Sequence, residues 1–321
     1  MKSFWDKLSK PFFVLAPMAD VTDAAFRRII AKYGKPDVIW TEFVSADGLC
    51  HPKGREKLLT DLIYSESERP IVAQLFTAYP EKMIIAAGLI QDLGFDGLDI
   101  NMGCPDRVVE KQGAGAALMK NPKLAQEIIQ SAQKGAPKLP ISVKTRIGYH
   151  RDELETWLPT LLETPLTAIT LHARTRKEMS KVPAHWKAIT RAVRIRDDLK
   201  SKTLIIGNGD VVNLVDARRH ATETGADGIM LGRAIFGNSW LFSKNQNAIK
   251  IKEKLKVLIE HTKLFEELLG KVKNFAIMKK HYKCYVMDWE GVNELRQALI
   301  EAPNRAVVEE IVDKYLATMI L

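Results

Sequence analysis

Eight β-type segments alternate with helical segments along most of this 321-residue chain, and this alternation constrains the fold more than any other feature. Apolar and β-branched runs predict strands at residues 13–18, 38–41, 71–76, 97–101, 141–146, 168–173, 203–207 and 228–231. Helical signals fill the gaps: Phe26, Ile29 and Tyr33 share one face of a helix that a glycine ends. Eight β-then-α units over roughly 240 residues match a (β/α)8 TIM barrel, an α/β fold.

An open, doubly wound sheet is the alternative fold for such an alternation. That fold usually has a Gly-x-Gly-x-x-Gly turn directly after its first strand. Here the corresponding segment reads Ala16-Pro-Met-Ala-Asp20 and contains no glycine. The sequence therefore favours the barrel, which we place at residues 1–242.

The pattern changes after residue 242. Residues 250–287 and 292–321 have helical periodicity and contain no β-rich run. We therefore predict a small all-helical C-terminal domain at residues 250–321, joined to the barrel by a polar linker at residues 243–249.

Positive charge is concentrated at this boundary. The chain has a net charge of +9, and residues 244–283 contribute +7, from eleven lysines against four acidic residues. A basic surface suggests a polyanionic partner, and the alternative is an ordinary solvated helix face. Tyr282 and Tyr285 lie in or beside this region and, if exposed, are able to stack on nucleic-acid bases.

The sequence disfavours several other classes of protein. No apolar run approaches the roughly 18 residues that cross a bilayer, and the N-terminus lacks the apolar core of a secretory signal. Cys50, Cys104 and Cys284 lie far apart without a Cys-x-x-Cys motif, which argues against a disulfide framework, a zinc site or an iron–sulfur cluster. We expect a cytoplasmic protein with no metal ion, no membrane association and no obligate protein partner.

Polar residues alternate with apolar ones on three neighbouring predicted strands. Because the side chains of a strand alternate in direction, the polar set faces the mouth of the barrel while the apolar set faces the helices. This inward set comprises Asp99, Asn101, Lys144, Arg146, Thr170, His172 and Arg174. Since an unpaired buried charge costs several kcal/mol, the cations predict an anionic or electron-rich ligand; the alternative is a network of salt bridges within the set.

Glycine-rich turns follow the seventh and eighth predicted strands, at Gly207-Asn-Gly-Asp210 and Leu231-Gly-Arg-Ala234. Turns at these two places often bind phosphate through backbone amides in such barrels. FMN fits this arrangement, with Lys144 and His172 near its ring and the amide of Gln74 at its pyrimidine end.

A lone thiol belongs to the same face. Cys104 follows the fourth predicted strand, and a glycine pair, Gly113 and Gly115, comes shortly after it. Most lone cysteines are buried packing residues. A cysteine directly after a barrel strand, however, is placed to meet a ligand.

Taken in order, these motifs resemble one family, the flavin-dependent tRNA dihydrouridine synthases. The matching segments are Ala16-Pro-Met-Ala-Asp-Val-Thr-Asp-x-x-Phe-Arg27, Gln74-Leu-Phe76, Asn101-Met-Gly-Cys-Pro105, Gly113-Ala-Gly-Ala-Ala-Leu118, Val143-Lys-Thr-Arg-Ile-Gly148, His172-Ala-Arg-Thr-Arg176, Gly207-Asn-Gly-Asp210, Gly225-Ala-Asp-Gly-Ile-Met-Leu-Gly-Arg233 and Met278-Lys-Lys-His281. The resemblance covers the whole chain. It implies an FMN-binding barrel, a helical tRNA-binding domain, and reduction of the C5–C6 bond of particular uridines in tRNA.

The resemblance also implies roles for individual residues. Hydride would pass from reduced FMN to C6 and a proton from Cys104 to C5, with NADPH visiting transiently to reduce the flavin. An unperturbed thiol, with a pKa around 8.5, is mostly protonated near neutrality and suits this task. The implied FMN contacts are Pro17, Met18, Gln74, Lys144, His172, Asn208, Gly209, Gly232 and Arg233. The implied substrate contacts are Asn101, Arg146, Arg174, Lys279, Lys280 and His281.

One segment departs from the family's usual pattern. Within residues 177–186, Glu178, Ser180, Val182 and His185 replace the commoner residue types, so the substrate loop is expected to differ in detail. Three other functions stay open: a flavin barrel that reduces a free pyrimidine or small alkene, an RNA-binding protein that keeps the barrel as a scaffold, and an aldolase using Lys144 as a Schiff-base nucleophile.

Overall fold

The structure, a computed structural model, describes residues 3–236, 238–243, 249–287, 289 and 291–319. Most of the predicted linker, residues 244–248, lies outside this part, as do the two residues at each end of the chain.

Eight parallel strands form the barrel. They are β1 (Phe12–Leu15), β2 (Ile39–Ser45), β3 (Ile71–Phe76), β4 (Gly97–Met102), β5 (Ile141–Arg146), β6 (Ala168–His172), β7 (Leu204–Asn208) and β8 (Gly228–Leu231). Successive strands pair from β2 to β8, β8 pairs with β1, and a single parallel bridge between Val14 and Val38 completes the ring. The predicted (β/α)8 barrel is confirmed.

Helices follow the strands as the sequence predicts, with one exception. The α-helices are α1 (Ala24–Tyr33), α2 (Ala46–Cys50), α3 (Pro52–Leu58), α4 (Pro80–Asp92), α5 (Arg107–Lys111), α6 (Pro122–Gly135), α7 (Leu154–Leu162), α8 (Trp186–Asp198), α9 (Leu214–Thr224), α10 (Ile251–Leu269), α11 (Met278–Tyr285), α12 (Val292–Glu301) and α13 (Arg305–Thr318). Short 3-10 helices lie at Phe4–Lys7, Leu59–Leu62, Glu66–Glu68, Gly115–Lys120, Arg233–Ile235 and Phe275–Ile277. The exception is β8, which the 3-10 turn follows instead of an α-helix.

Local signals explain where several helices begin and end. The Asp23 carboxylate accepts a hydrogen bond from the N–H of Phe26 at 2.9 Å and so caps α1. Asn213 caps α9, and Gly225, with a φ of 72°, ends that helix in the left-handed region where glycine is favoured.

The interior of the barrel has an apolar floor. Trp5, Phe12 and Trp40 pack together at the N-terminal ends of the strands, and the ring centroids of the two tryptophans lie 6.0 Å apart. Because these side chains fill that end, the C-terminal end of the barrel is the one that can admit a ligand.

The predicted C-terminal helices are present and share a core with the barrel. Helices α10 to α13 pack into one apolar cluster that also contains Ala25 and Ile29 of α1 and Trp240. Glu260 of α10 accepts hydrogen bonds from Lys32 and Tyr33, at 2.7 and 2.6 Å. The division into domains near residue 242 stays a prediction, since the shared core joins the two parts closely.

Two negative findings hold for the described part of the chain. We find no helix there with both the length and the hydrophobicity that spanning a bilayer requires. The same residues contain no group of three or more His, Cys, Asp or Glu side chains arranged to bind a metal ion.

Candidate active site at the mouth of the barrel

The register of the sheet gathers most of the predicted site residues at one end of the barrel. Neighbours in register are Gln74 with Asp99, Asn101 with Lys144, Arg146 with His172, and His172 with Asn208. These positions lie from the middle to the C-terminal ends of β3 to β7, opposite the apolar floor. The structure therefore brings them together as a continuous inner ring.

A chain of hydrogen bonds connects this ring to the thiol loop. Asp99 accepts from Ser142 Oγ at 2.5 Å and from Gln74 Nε2 at 2.6 Å. Gln74 Oε1 accepts from Asn101 Nδ2 at 3.0 Å, and Asn101 Oδ1 accepts from the N–H of Cys104 at 2.9 Å. The position of the thiol loop thus depends on a buried carboxylate three residues away in the network.

Asp99 anchors the inner end of this network, although the sequence placed it only in the inward set and gave it no specific role. Its side chain is fully buried, and burial raises its pKa to about 6 against the opposing effect of the bonds from Ser142 and Gln74. The alternation of β4 had already turned it inward. The hydrogen-bond partners, however, come from β3 and β5 and depend on the register.

Lys144 and His172 make the mouth receptive to an anionic or electron-rich ligand. Burial, with repulsion from Arg146, lowers the pKa of Lys144 to about 8, and its Nζ lies 3.4 Å from Asn208 Oδ1. The pKa of His172 is lowered well below its ordinary value, mainly by burial and also by repulsion from nearby cations, including Lys144. Arg174 Nη1 lies 3.2 Å from His172 Nε2, and because a guanidinium only donates, this nitrogen is an acceptor in a neutral ring.

The two arginines of the mouth are satisfied by the protein itself. Arg146 donates through Nε to the carbonyl of Gly103 at 2.8 Å and through Nη1 to the carbonyls of Thr175 and Met179 at 3.2 and 3.1 Å. It therefore ties the thiol loop to the segment that departs from the family pattern. Their contact with substrate stays a prediction.

Arg174 contacts the same segment further along the chain, at Val182. It forms an ion pair with Asp210 and donates through Nε to the carbonyl of Val182 at 2.6 Å. The alternative of an internally paired network is thus correct for this arginine, whereas Lys144 has no ion pair with an acid at 4 Å or less among the described residues.

The turns after β7 and β8 lie beside the loop after β1. Gly209 has a φ of 135°, and a Cβ there would lie 2.8 Å from the Cβ of Ala184. A Cβ on Gly232 would lie 3.9 Å from Met18 Sδ, while Arg233 Nη2 donates to Asp210 Oδ1 at 2.6 Å. Asn208 Nδ2 joins the first turn to strand β8 by donating to the carbonyl of Met230 at 2.8 Å. These predicted cofactor residues share one side of the mouth.

Cys104 lies on the loop after β4, partly buried beside Phe76 and Val109. Burial raises the pKa of its thiol, so the sulfur remains protonated near neutral pH. Gly115 has a φ of 60°, and a Cβ there would lie 2.8 Å from the carbonyl oxygen of Cys104. The glycine pair seen in the sequence thus allows close packing against the thiol loop, and the site presents a proton donor.

An ion pair between Arg176 and Glu110, which the sequence did not predict, holds the end of the thiol loop. Arg176 Nε lies 2.9 Å from both carboxylate oxygens of Glu110, which is on α5 just after the thiol. Tyr149 packs under the guanidinium, whose carbon lies 5.6 Å from the ring centroid. The position of Arg176 within the His172-Ala-Arg-Thr-Arg176 motif was the only signal available.

A lysine-rich cleft lies between the barrel and the C-terminal helices. Lys279, Lys280 and Lys283 line it, together with Val21 of the loop after β1 and Ile300 of α12. Lys280 also pairs with Asp20 at 2.9 Å. The predicted basic surface thus borders the same loop as the candidate cofactor site.

Three predictions for α11 need correction, because that helix packs directly on α1. The side chain of His281 is fully buried, with its ring centroid 4.8 Å from that of Phe26 and 4.5 Å from that of His261. It therefore packs the helix against the barrel and is not accessible for contact with RNA. Tyr282 and Tyr285 are 0% and 2% exposed, so the prediction that they could stack on bases is wrong.

Solved structures share the barrel but little sequence. Histamine dehydrogenase from Rhizobium sp. 4-9 matches with a TM-score of 0.55 and 13% identity, covering 78% of this chain and 48% of that chain. A morphinone reductase variant in complex with tetrahydroNAD matches with a TM-score of 0.52 and 13% identity, covering 75% of this chain and 89% of that one. At such low identity these likenesses support the fold alone.

Sequence relatives are much closer. A probable tRNA-dihydrouridine synthase of Staphylococcus epidermidis is 39% identical over 320 residues, covering 99% of this chain and 98% of that protein. A probable tRNA-dihydrouridine synthase 2 of Bacillus subtilis is 39% identical over 321 residues, with 98% of each covered. The family model described as dihydrouridine synthase (Dus) matches residues 14–320. The chain therefore belongs to the dihydrouridine synthase family.

Proposed function

We propose that this protein reduces the C5–C6 double bond of specific uridines in tRNA to dihydrouridine, with FMN as bound cofactor and NADPH as reductant. One observation carries the proposal: Asn101 holds the loop of Cys104, whose thiol is protonated, at the same mouth that contains Lys144 and neutral His172. Family membership supports the same reaction. The cytoplasm, where tRNA is used, is its proposed location.

The residues at the mouth fit FMN. The Lys144 ammonium, which makes a long hydrogen bond of 3.4 Å to Asn208 Oδ1, suits the electron-accepting edge of a flavin ring. The turns at Gly209 and Gly232 suit the phosphate. When bound, FMN supplies the hydride that C6 of the uracil receives, after reduction by NADPH. The proposed contacts are Pro17, Met18, Gln74, Lys144, His172, Asn208, Gly209, Gly232 and Arg233.

The chain's own contribution to the chemistry is proton donation and orientation. Cys104 Sγ donates the proton that C5 gains, and the raised pKa of the thiol keeps that proton in place until it is needed. Asn101 orients the thiol loop through the Cys104 N–H and is proposed to contact the uracil. Arg146 and Arg174 hold the loops that surround the base.

A tRNA substrate is favoured over a free pyrimidine by the lysine-rich cleft. A base inside a folded RNA reaches a barrel mouth only when it leaves its stack, so the RNA must be gripped outside while one nucleotide enters. Lys279 and Lys280, with Lys283 beside them, supply positive charge at the edge of the mouth. A reductase of free pyrimidines has no use for this surface.

Turnover on RNA and on free nucleoside separates these two functions. The substrate is tRNA isolated from cells that lack this protein. We expect the purified protein to form dihydrouridine in this tRNA and to reduce free uridine at least about 100-fold more slowly. Replacing Lys279, Lys280 and Lys283 together by Met should weaken tRNA binding and flatten its dependence on salt. Mass spectrometry of digested tRNA measures the product. Equal rates on the two substrates would contradict the proposal.

A further inference from the structure

The loop after β1, residues 16–22, is bonded at its two ends to Leu231 and Arg27, and a carboxylate holds its middle. The N–H of Asp20, a residue with a φ of 53°, donates to Glu42 Oε1 at 2.5 Å. Within the loop, the N–H of Met18 donates to Thr22 Oγ1 at 3.0 Å. Glu42 is on β2, so the conformation of this loop depends on how that side chain is held.

The C-terminal helices hold Glu42 in place. Its second oxygen, Oε2, accepts from Lys273 Nζ at 2.7 Å, and Lys273 follows α10 in the chain. The same ammonium lies 2.7 Å from Asp61 Oδ1. The side chains of Lys273 and Glu42 are 13% and 7% exposed, so water screens their attraction poorly.

Loss of the ion pair between Lys273 and Glu42 should disturb the loop after β1, for electrostatic reasons. Burial alone would lower the pKa of Lys273, but Glu42 and Asp61 together raise it above its ordinary value. Without the lysine, the buried Glu42 and the partly buried Asp61 would lose the cation between them, and a buried charge that loses its partner is strongly destabilised. Glu42 would then turn toward water, which removes the acceptor of the Asp20 N–H, or take up a proton, which leaves that N–H only a weaker, neutral acceptor.

We propose that Lys273 is a positioning residue for the cofactor, which fixes through Glu42 the loop that presents Pro17 and Met18 to FMN. The inference rests on the proposed function, because it takes these two residues as flavin contacts. Lys280 strengthens the same connection by pairing with Asp20 at 2.9 Å. The C-terminal helices are thus part of the flavin site as well as a surface for RNA.

Flavin affinity of the full-length protein tests this directly, without RNA or turnover. The change in FMN fluorescence on titration gives the Kd of the wild type and of three variants. Lys273→Met should weaken FMN binding about tenfold, whereas Lys273→Arg keeps the charge and should stay within about threefold of wild type. Asp61→Asn is the matched control: it removes the other acid but leaves the bond to Glu42, so its Kd should stay within about twofold.

Hydrogen exchange of the flavin-free proteins provides a second readout. Peptides covering residues 16–22 should exchange faster in Lys273→Met than in wild type or Asp61→Asn, because the Asp20 N–H is released. A Lys273→Met protein that melts earlier but binds FMN with wild-type affinity would overturn the positioning role. If the wild type itself binds no FMN, the proposed function fails instead. Should Lys273→Met not fold, Glu42→Ala, which removes the acceptor of the Asp20 N–H, must show the same loss of affinity.

Discussion

The two ends of the barrel are built from the same eight strands but carry opposite kinds of inward side chain. At the N-terminal end, Trp5, Phe12 and Trp40 form a buried apolar floor. At the C-terminal end, Asp99, Lys144 and their neighbours form a buried polar ring. The alternation of each strand is the same at both ends, so position along the strand decides whether an inward residue stabilises the fold or binds a ligand.

The difference has an energetic meaning. Apolar burial on the floor favours folding. In the ring, burial instead shifts the pKa of Asp99 up and those of Lys144 and His172 down, which shows that the folded state opposes their charged forms. Charged side chains at the mouth therefore destabilise the ligand-free fold, and a bound ligand can offset this. Substitutions at the two ends of the barrel should change the free energy of unfolding with opposite signs.

The largest effect on stability is expected on the floor. Phe12→Ala removes a fully buried ring and should lower the free energy of unfolding by about 3–5 kcal/mol. Flavin affinity per folded molecule should not change, because the mouth is untouched. Urea denaturation measures the first quantity, and Val215→Ala, at an exposed position, is the control. A specific loss of flavin from a stable Phe12→Ala protein would break the division between the ends.

A substitution in the ring should act the other way. Lys144→Met should weaken FMN binding about 100-fold, since it removes the ammonium beside the proposed ring position. At pH 7 it should raise the free energy of unfolding of the flavin-free protein by about 1 kcal/mol, because a partly buried charge disappears. Flavin titration and urea denaturation check both effects. A destabilised variant that still binds FMN tightly would contradict this account.

The stabilising effect of Lys144→Met should depend on pH in a defined direction. The pKa of Lys144 is lowered from 10.5 to about 8, so the unfolded chain holds the proton more tightly between these values. In the wild type, stability should therefore rise as the pH increases from 8 to 10.5. The advantage of the methionine variant should be full below pH 8 and shrink across that interval. An advantage that is constant from pH 7 to 10.5 would mean that Lys144 is not the group responsible.

The smallest effect is expected outside the ring, at the ion pair of Arg176 with Glu110. Glu110→Gln should cost less than about 1 kcal/mol of stability, because the pair is partly exposed. Dihydrouridine formation should slow about threefold, since the loop of Cys104 becomes less well held. Glu223→Gln, in an exposed pair on α9, should leave both unchanged. A rate loss of 100-fold or more, on the scale of a proton donor, would place Glu110 in the chemistry itself.

Most of the fold could be predicted because strands with long apolar runs are recognisable in the sequence. Strands β3, β5 and β8 have the predicted bounds. The first strand was predicted to reach residue 18 but ends at Leu15, since Pro17 lacks an N–H and the N–H of Met18 bonds Thr22 instead. The second was predicted to end at residue 41 but continues to Ser45, because it stays paired with β3 as far as Phe76; Lys273 neutralises the charge of Glu42 that this stretch buries.

The site could be predicted only as far as side-chain direction allowed. Alternation turned Asn101 and Lys144 inward correctly, and their neighbourhood follows from the register. The bond from Gln74 to Asp99 requires knowing which strands pair. The burial of His281 likewise requires the packing of α11 on α1, which no local pattern in the sequence encodes.

The yield of dihydrouridine from Cys104→Ala tests the central claim most directly, with Cys50→Ala as the matched thiol control. We predict a yellow Cys104→Ala protein that binds tRNA normally but forms dihydrouridine at least about 100-fold more slowly, because it lacks the proton donor. Cys50→Ala should behave as the wild type. Undiminished product from Cys104→Ala would contradict the account.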